Sequence, residues 1–521
     1  MDNAQLVAAL SDSTVLVAGA GAAGISAATY LAGIGTRVRL VDDRYSTPAT
    51  VTLAGVQVPG SSIETALDAG FDDVELLVVS PGFAPTHPLP VTAAAAAVAV
   101  WGEVELAWQL DRAGLLGAPR TWLVVTGTNG KTTTTGMVEA IMSASGAAAA
   151  ACGNYGLTVL DAMVGEPAGA RVDVLCVELS SFQLHWAPSV HADAAVVLNV
   201  AEDHLDWHGS FAAYAADKAL ALQARVAVVG DDDAVAATLP IGPDSRRVGF
   251  TLNEPAPGQL GVRGGMLVDA AFGDVEVELI DAGAVRPAGP SGIADALAAA
   301  ALARAVGVTP AQVAQGLRAY APAAHRGEVV ATADLGGVAV KFVDDSKATN
   351  PHAAMAALAG HDRVVLIAGG LLKGASVDEL VTAHAHRLAG VVAIGRDRRV
   401  IVDTIARHAP EVPTVTVFTG DDGRVSVVEG TVLAQPAVEA PNQPVDPVRD
   451  PSSSQAVMTA AVEQAWRLAA ASDAGAASEP VSAVLLAPAA ASLDMFAGYG
   501  VRGDAFATAA RSVVESARAN R

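Results

Sequence analysis

Basic residues are scarce in this chain. Thirty-two Lys and Arg stand against 55 Asp and Glu, a formal net charge of −23, and nowhere do they form a basic block. That balance argues against nucleic acid and anionic membrane surfaces as general partners. An anionic ligand would have to find its positive groups locally, at glycine turns, helix ends and single Lys or Arg side chains. Cysteine is scarcer still. Only Cys152 and Cys176 occur, without metal-site spacing and among apolar or small neighbours. They read as buried free thiols in a reduced compartment, and so point to the cytoplasm. Aromatic residues make up 4% of the chain although apolar residues make up 52%. The difference is largely alanine, which favours helices and small-residue packing. Long apolar runs are missing too. Val91 to Val100 is the most uniform, and it is too short to span a bilayer. The opening MDNAQLVAALSDS has no basic segment followed by an apolar one, so no signal peptide is expected.

What is present, over 521 residues, suffices for about three domains of ordinary size. The stretch from Trp122 to Met137 organises the rest. Trp122 to Val125 is a short apolar run rich in β-branched residues and predicts a buried parallel strand. Thr126 to Gly130 is a glycine-containing turn, and Lys131 with the run Thr132 to Thr135 opens a helix. A strand, a glycine turn, then Lys-Thr at a helix start is an arrangement that cradles polyphosphate. Backbone N–H groups and the positive helix end face the phosphates, Lys131 neutralises them, and the Thr132 hydroxyl can reach Mg²⁺. The general pattern G-x-x-x-x-G-K-[ST] is incomplete, because Val125 stands where its first glycine belongs.

Other strand ends carry chemistry as well. Val15 to Ala18 predicts a strand, followed by the turn Gly19-Ala20-Gly21-Ala22-Ala23-Gly24, a small-residue helix, and a second strand Arg37 to Val41 ending in Asp42-Asp43-Arg44. This is a Rossmann-type opening, suited to a diphosphate on the helix end without saying which one. Leu76 to Val79 ends in Ser80-Pro81-Gly82, where Ser80 reads equally as turn former or ligand contact. Val172 to Val177 runs into Glu178-Leu179-Ser180-Ser181, and Ala194 to Val200 into Ala201-Glu202-Asp203-His204. Ligands of open parallel sheets lie beyond the carboxyl ends of the strands, so Glu178 and His204 could face the phosphates and hold Mg²⁺. Lys218, on a predicted helix, reads from the residues alone as a solvated surface lysine. Gly114 to Arg120 reads as a linker, and the segment from Gln435 to Ser454, rich in Pro, Ser, Asp and Gln, as an exposed or disordered insertion. Asp473 to Pro480 reads as a second flexible piece. The predicted architecture is α/β with three domains: a Rossmann-like domain over 1–118, a central P-loop ATPase-type parallel-sheet domain over 119–322, and a Rossmann-like domain over 323–521, with 436–453 as the insertion.

The order of motifs resembles the Mur ligase family, which builds the peptide stem of peptidoglycan. T-G-T-N-G-K-T-T, E-L-S-S-F-Q-L, N-V-A-E-D-H-L-D and Y-A-A-D-K carry the resemblance over nearly the whole chain. D-D-S-K-A-T-N at Asp344 to Asn350, with the tail P-A-A-A-S-L-D-M-F, is most similar to the branch that adds D-glutamate to UDP-N-acetylmuramoyl-L-alanine. The resemblance implies an ATP-dependent ligase acting through an acyl phosphate, probed by three domains that bind UDP, ATP and the amino acid in turn. It implies a Mg²⁺ site, or two, from Thr132, Glu178, His204 and a carbamylated Lys218, with Lys131, Lys218, His204 and Lys347 as the catalytic set. It implies ATP contacts from Gly127, Thr128, Asn129, Gly130, Lys131, Thr132, Thr133, Asp295, Arg326 and Asp345, with His325 beside them. It implies uridine-nucleotide contacts from Gly19, Gly21, Gly24, Asp42, Arg44 and Ser80, and a substrate channel lined by Asn154, Ser180 and Ser181. Thr349, Lys373, Ser492 and Phe496 would form the D-glutamate pocket. A cytoplasmic monomer is expected, without nucleic acid or membrane partners.

One departure stands out. After Gly289-Pro290 the family carries His-Asn and, three residues later, a second Asn facing adenine; here those positions are Ser291, Gly292 and Asp295. Weaker adenine recognition is the consequence expected. Two further readings follow from the residues: another ligase of the superfamily, of the L-alanine-adding or folyl-polyglutamate type, or a non-catalytic nucleotide-sugar binding protein. The first 45 residues alone would read as an NAD-dependent dehydrogenase.

Overall fold

Short runs of Val, Leu and Ile, buried on both faces, build three sheets in the computed structural model of this chain. The structure describes residues 10, 13–165, 171–420, 424–430, 451–473 and 479–519. Their contacts divide them into two compact units: Met1–Arg286 with Gly292–Tyr320, and Pro287–Ser291 with Ala321–Arg521. The first two sheets lie in the first unit and the third sheet in the second.

The first sheet comprises β1 (Thr14–Ala18), β2 (Arg37–Val41), β3 (Ala49–Leu53), β4 (Val56–Ser61), β5 (Leu76–Val79) and β6 (Ala99–Gly102), in the spatial order β3-β4-β2-β1-β5-β6. All pairs are parallel except the β3–β4 hairpin. Its two-residue turn, Ala54-Gly55, has φ of 49° and 78°, the positive values that a tight hairpin needs. The order reverses direction at β1, between β2 and β5, where the ligand crevice of such sheets opens.

The second sheet comprises β7 (Thr121–Thr126), β8 (Ala149–Gly153), β9 (Val174–Glu178), β10 (Ala194–Val197), β11 (Val226–Gly230), β12 (Arg246–Phe250), β13 (Gln259–Arg263), β14 (Met266–Asp269) and β15 (Val277–Asp281). Their order is β15-β14-β13-β12-β11-β10-β7-β9-β8. β7 lies inside the sheet, flanked in parallel by β9 and β10. The glycine turn, Glu178 and the loop after β10 thus leave neighbouring strands at the same end.

The first two sheets share a hydrophobic core that runs from Val15 and Leu31 through Trp108 and Trp122 to Val229. The segment that reads as a linker is held down. Leu115 and Leu116 pack against that core. The Arg120 guanidinium, buried, bonds Asp111 Oδ1 at 2.9 Å, the Val172 carbonyl at 2.9 Å and the Met163 carbonyl at 3.0 Å. Asp111 also accepts the Trp122 indole N–H at 3.0 Å. A buried charge is tolerated where its hydrogen-bonding capacity is filled in this way.

The third sheet comprises β16 (Glu328–Leu335), β17 (Val338–Asp344), β18 (Val364–Gly369), β19 (Leu388–Ile394), β20 (Thr414–Thr419), β21 (Val425–Glu429) and β22 (Ala483–Leu486), ordered β16-β17-β22-β18-β19-β20-β21. Its five central strands are parallel and both edges antiparallel. The α/β class expected from the sequence is borne out. The insertion expected over 436–453 needs correction at one end. Residues 436–450 lie outside the described residues, but Pro451 opens a helix, Pro451–Asp473, that supplies Val457, Met458, Ala461 and Val462 to the core. Proline followed by serines reads as loop, yet proline's fixed φ suits the first turn of a helix. Of the second flexible piece, 474–478 also lie outside the described residues. Val91 to Val100 divides between the helix Pro88–Ala95 and the start of β6. No helix among the described residues is long and apolar enough to cross a membrane.

Candidate functional site

The turn after β1 is built on glycine where glycine is required. Gly19 has φ of +94°, and a Cβ there would fall 2.4 Å from Ser80 Oγ. A Cβ on Gly24 would fall 1.8 Å from the Gly19 carbonyl oxygen. Ser80 Oγ donates to that same oxygen at 3.3 Å, across from β5. Asp42, at the end of β2, accepts the Ala20 N–H at 2.7 Å and both the Arg44 N–H and Nε–H, at 3.0 and 2.9 Å. Partial burial opposes its ionisation, but these hydrogen bonds and the Arg44 charge outweigh it and hold the carboxyl below its usual range. Gly19, Gly24, Ser80, Asp42 and Arg44 therefore converge, with Gly21 exposed at the start of the helix Ala22–Gly33.

The turn after β7 is tighter and more deeply set. Gly127 and Gly130 have φ of +154° and +85°, and a Cβ on Gly130 would meet Asp295 Oδ1 at 2.3 Å. Asn199, after β10, straps the turn: its Oδ1 accepts the Asn129 N–H at 2.9 Å and its Nδ2 donates to the Asn129 carbonyl at 3.2 Å. The Thr128 hydroxyl accepts the Ala201 N–H at 2.9 Å and lies 2.9 Å from the Tyr214 hydroxyl. Asp295 accepts from the Thr134 hydroxyl at 3.1 Å, and Thr133 is buried in the same first turn of the helix Lys131–Ala144. A carboxylate thus stands beside the turn at the position where the departure from the family was noted.

Two lysines meet on one carbonyl. Lys131 Nζ donates to the Gly127 and Thr128 carbonyls at 2.8 and 2.9 Å. Lys218 Nζ donates to the Gly127 carbonyl at 2.8 Å. Lys218 is 1% exposed and its ammonium lies 4.6 Å from the Tyr214 ring centroid. The surface lysine that the residues alone suggest is thus a fully buried one. Burial, and then the charge of Lys131, push its pKa well below the usual lysine value, so the neutral amine becomes accessible.

Opposite the lysines, Thr132 Oγ1 donates to Glu178 Oε2 at 2.7 Å, and Asn154 Nδ2 donates to Glu178 Oε1 at 2.9 Å. Gly153 lets β8 lie close against the end of β9, since a Cβ there would fall 2.2 Å from the Glu178 carbonyl oxygen. A hydroxyl and a buried carboxylate at a helix N-terminus are hard oxygen donors and fit Mg²⁺, which keeps several of its sites for water and phosphate oxygens. Among the described residues no group of three His, Cys, Asp or Glu side chains forms a metal cage. His204 has φ of +52° and a half-exposed side chain. Its ring packs against Phe182, centroids 4.8 Å apart, and its Nε2 lies 3.5 Å from Asp203. Ser180 caps the helix Ser181–His185 in a reciprocal box with Gln183, and Ser181 Oγ lies 2.9 Å from His208 Nε2.

In the second unit, His325 has φ of +64° and its Nδ1 lies 2.7 Å from Asp344 Oδ2. A Cβ on Gly503 would fall 2.2 Å from that nitrogen. The His325 carbonyl accepts the Lys347 N–H at 3.2 Å. Burial pushes Asp345 up to about 7, against the pull of the Arg326 charge and with a push from Asp344. Arg326 Nη2 is buried without a hydrogen-bond partner, a donor left open for an anion. Two paired segments frame the remaining residues. Leu371 and Ala491 exchange backbone hydrogen bonds at 2.8 and 2.9 Å, which sets the Lys373 turn beside Ser492, and Ala489 N–H bonds the Ala348 carbonyl at 3.0 Å, next to Thr349. Phe496 is 3% exposed and belongs to the core around Val457 and Phe506. The ring that faces Lys347 is Tyr499, with Nζ 4.2 Å from its centroid. Sequence reasoning took Asn199 and Tyr214 only as the first residues of their motifs, without a role, and missed Arg502. Arg502, lowered to about 10 by burial, bonds the Ser346 hydroxyl and carbonyl at 3.0 and 2.8 Å and the Ala490 carbonyl at 3.0 Å.

Comparison with known proteins finds relatives along nearly the whole chain. Residues 125–256 match the Mur ligase middle domain, and residues 13–102 match the N-terminal domain of Mur ligases described as MurD-like. A relative from Mycolicibacterium vanbaalenii, named UDP-N-acetylmuramoylalanine--D-glutamate ligase, is 52% identical over 502 residues, covering 96% of this chain and 98% of that protein. A relative of the same name from Rhodococcus jostii is 51% identical over 95% of this chain and 94% of its own length. Among solved structures, a pseudomurein peptide ligase type C from Methanothermus fervidus is similar in fold, with a TM-score of 0.51 and 14% identity over 95% of this chain and 99% of that one. With half of all residues shared along nearly the full length of both chains, the chain belongs to the Mur ligase family.

Proposed function

We propose that this protein adds D-glutamate to UDP-N-acetylmuramoyl-L-alanine, with ATP cleaved to ADP and phosphate, in the synthesis of the peptidoglycan precursor. Relatives that share half its sequence carry that name. The single structural observation that supports it best is the pairing at the turn after β7: Thr132 with Glu178 on one side, Lys131 and Lys218 on a single carbonyl on the other.

The chemistry asks for such an arrangement. A carboxylate is a poor electrophile toward an amine. A carboxylate oxygen of the L-alanyl group attacks the γ-phosphorus, ADP leaves, and an acyl phosphate results. The neutral amine of D-glutamate then attacks the acyl carbon, and phosphate leaves from the tetrahedral adduct as the C–N bond is completed and the amine proton is lost. Every reactant is anionic, so the chain must offset repulsion. The turn Gly127–Gly130 presents N–H groups to the phosphates, and Lys131, released from its carbonyls, neutralises them. Glu178, Thr132 and His204 are the residues that would hold Mg²⁺, which when bound offsets charge on the transferring phosphoryl group. Lys218, driven toward the neutral amine, is poised to take up CO₂ as a carbamate and so to become an anionic ligand. In the second unit Lys347 and Arg326 offer positive charge to the transferred phosphate, while Lys373, Thr349 and Ser492 bind the amino acid. Asp42, Arg44, Ser80 and the Gly19–Gly24 turn hold the uridine nucleotide. The protein works as a monomer in the cytoplasm.

Phosphate release with UDP-N-acetylmuramoyl-L-alanine, ATP and a panel of amino acids tests the reading. D-glutamate should give the fastest release. Faster turnover with L-alanine acting on the unsubstituted sugar nucleotide, or with L-glutamate on a folate, would assign the chain to another ligase of the family. No release with any amino acid, alongside tight binding of the sugar nucleotide, would make it a binding protein.

A further inference from the structure

Beside the cation site runs a chain of four polar side chains. Ser181 Oγ lies 2.9 Å from His208 Nε2, His208 Nδ1 lies 2.8 Å from Asp217 Oδ2, and His185 Nδ1 lies 2.9 Å from Asp217 Oδ1. The His208 side chain is wholly buried. Phe182, Trp207 and Tyr214 enclose its ring, with centroids 5.4, 4.5 and 5.1 Å away. A carboxylate accepts hydrogen bonds and donates none, so both imidazoles turn an Nδ1–H toward Asp217. That fixes the tautomer of His208 and leaves its Nε2 to accept the Ser181 hydroxyl proton.

The two ends of this chain matter more than its middle. Ser181 stands three residues after Glu178, at the start of the helix Ser181–His185. Asp217 immediately precedes Lys218 on the helix Phe211–Ala219. Glu178 and Lys218 have different partners of their own, Thr132 and Asn154 for one and Gly127 for the other. The segments that carry them are tied to each other through His208. A pocket walled by aromatic rings would pack as well around an apolar side chain, and a buried polar chain gains little net stability over one. What it adds is a single allowed geometry.

We propose that Ser181, His208, Asp217 and His185 form a positioning element that fixes the spacing between Glu178 and Lys218 and thereby sets the affinity of the site for a divalent cation. The proposal rests on the reading of Thr132, Glu178 and Lys218 as that site. Outer partners of metal ligands typically change metal affinity or activity by about 10–100-fold when removed.

Mn²⁺ binding to the full chain in the presence of ADP, followed by electron paramagnetic resonance, reads the effect without turnover. His208→Phe keeps the aromatic packing and removes both hydrogen bonds. It should bind Mn²⁺ about 10–100-fold more weakly. Asp217→Asn, which offers one acceptor instead of two, should weaken binding to a similar degree, and Ser181→Ala only a few-fold. Variants that melt earlier yet bind Mn²⁺ as the wild type does would show a merely structural role and overturn the proposal. A wild-type protein that binds no Mn²⁺ with ADP would overturn the cation site itself, and the positioning element with it. Nitrogen-15 NMR of histidine-labelled wild type needs no variant: Nδ1-protonated His208 is expected, and an Nε2-protonated ring would overturn the assignment.

Discussion

The two glycine turns of the first unit use one backbone device and differ in what surrounds it. After β1, Gly19 and Gly24 let the chain approach itself within reach of Ser80, and one half-buried carboxylate, Asp42, braces the turn and pairs with Arg44. After β7, Gly127 and Gly130 do the same, but the brace is an asparagine, two lysines crowd one carbonyl, and a buried carboxylate waits on the hydroxyl of Thr132. A strand-to-helix glycine turn therefore identifies a phosphate seat and not its occupant. On the function proposed above, the side chains from neighbouring strands would make the second turn a place for chemistry and the first a place for binding.

Lys218 is where that contrast can be broken most severely. Lys218→Ala should lower kcat by about 10²–10³-fold, the scale of losing one preorganised electrostatic group, and short carboxylates should restore part of it by filling the vacated position. Steady-state kinetics with and without added acetate would check this. Near-normal activity would return Lys218 to the role of a bystander. No lysine stands at the corresponding place of the first turn, so substitutions there should raise KM for the sugar nucleotide and leave kcat nearly unchanged.

A smaller effect is expected from the glycines. Gly24→Ala places a Cβ against the Gly19 carbonyl and should destabilise the fold by about 1–3 kcal/mol, the range for overpacking, measured by urea unfolding. Gly21→Ala, where a Cβ meets nothing within 4 Å, should stay within about 0.5 kcal/mol. Equal losses at the two positions would remove the steric argument.

Asp295 sharpens the comparison from the other side. Its carboxylate bonds Thr134 and sits against Gly130, so it opposes a polyanion on the second turn. Gly292→Asn with Asp295→Asn should lower KM for ATP several-fold, on the scale of about 1 kcal/mol for one neutral hydrogen bond, and leave kcat unchanged. An unchanged KM would place the adenine elsewhere.

The last effect expected is one of pH on stability. Asp345 has its folded pKa raised by burial to about 7. A raised folded value means that the stabilising contribution is complete below the unfolded carboxyl range and is lost as pH climbs to about 7. Melting temperatures of the wild type should therefore fall relative to Asp345→Asn from about pH 4 to about pH 7 and run parallel above it. A difference that grows in the opposite direction would contradict the burial of this carboxyl as the dominant cause.

Much of the scaffold was legible because buried strands announce themselves as short β-branched runs. Arg37–Val41 and Leu76–Val79 are strands over those same residues. β8, built of Ala, Cys and Gly, carries no β-branched residue that would mark it as a strand. Lys131, Thr132 and Glu178 could be placed near one another from strand order alone. His208, Asp217, Asn199 and Arg502 could not. Their roles come from which side chains converge across helices and loops, and spacing along the chain does not record that. Tyr499 is of the same kind: it opens the helix Tyr499–Ala519, and its ring lies 4.2 Å from Lys347 Nζ.

The central claim is that the peptide carboxylate is activated by phosphorylation before the amine arrives. UDP-N-acetylmuramoyl-L-alanine labelled with oxygen-18 in its terminal carboxylate tests this directly, by mass analysis of the phosphate released with ATP and D-glutamate. One labelled oxygen should pass to phosphate in each turnover, since the attacking carboxylate oxygen leaves with the phosphoryl group. Unlabelled phosphate at full turnover would contradict the acyl-phosphate route.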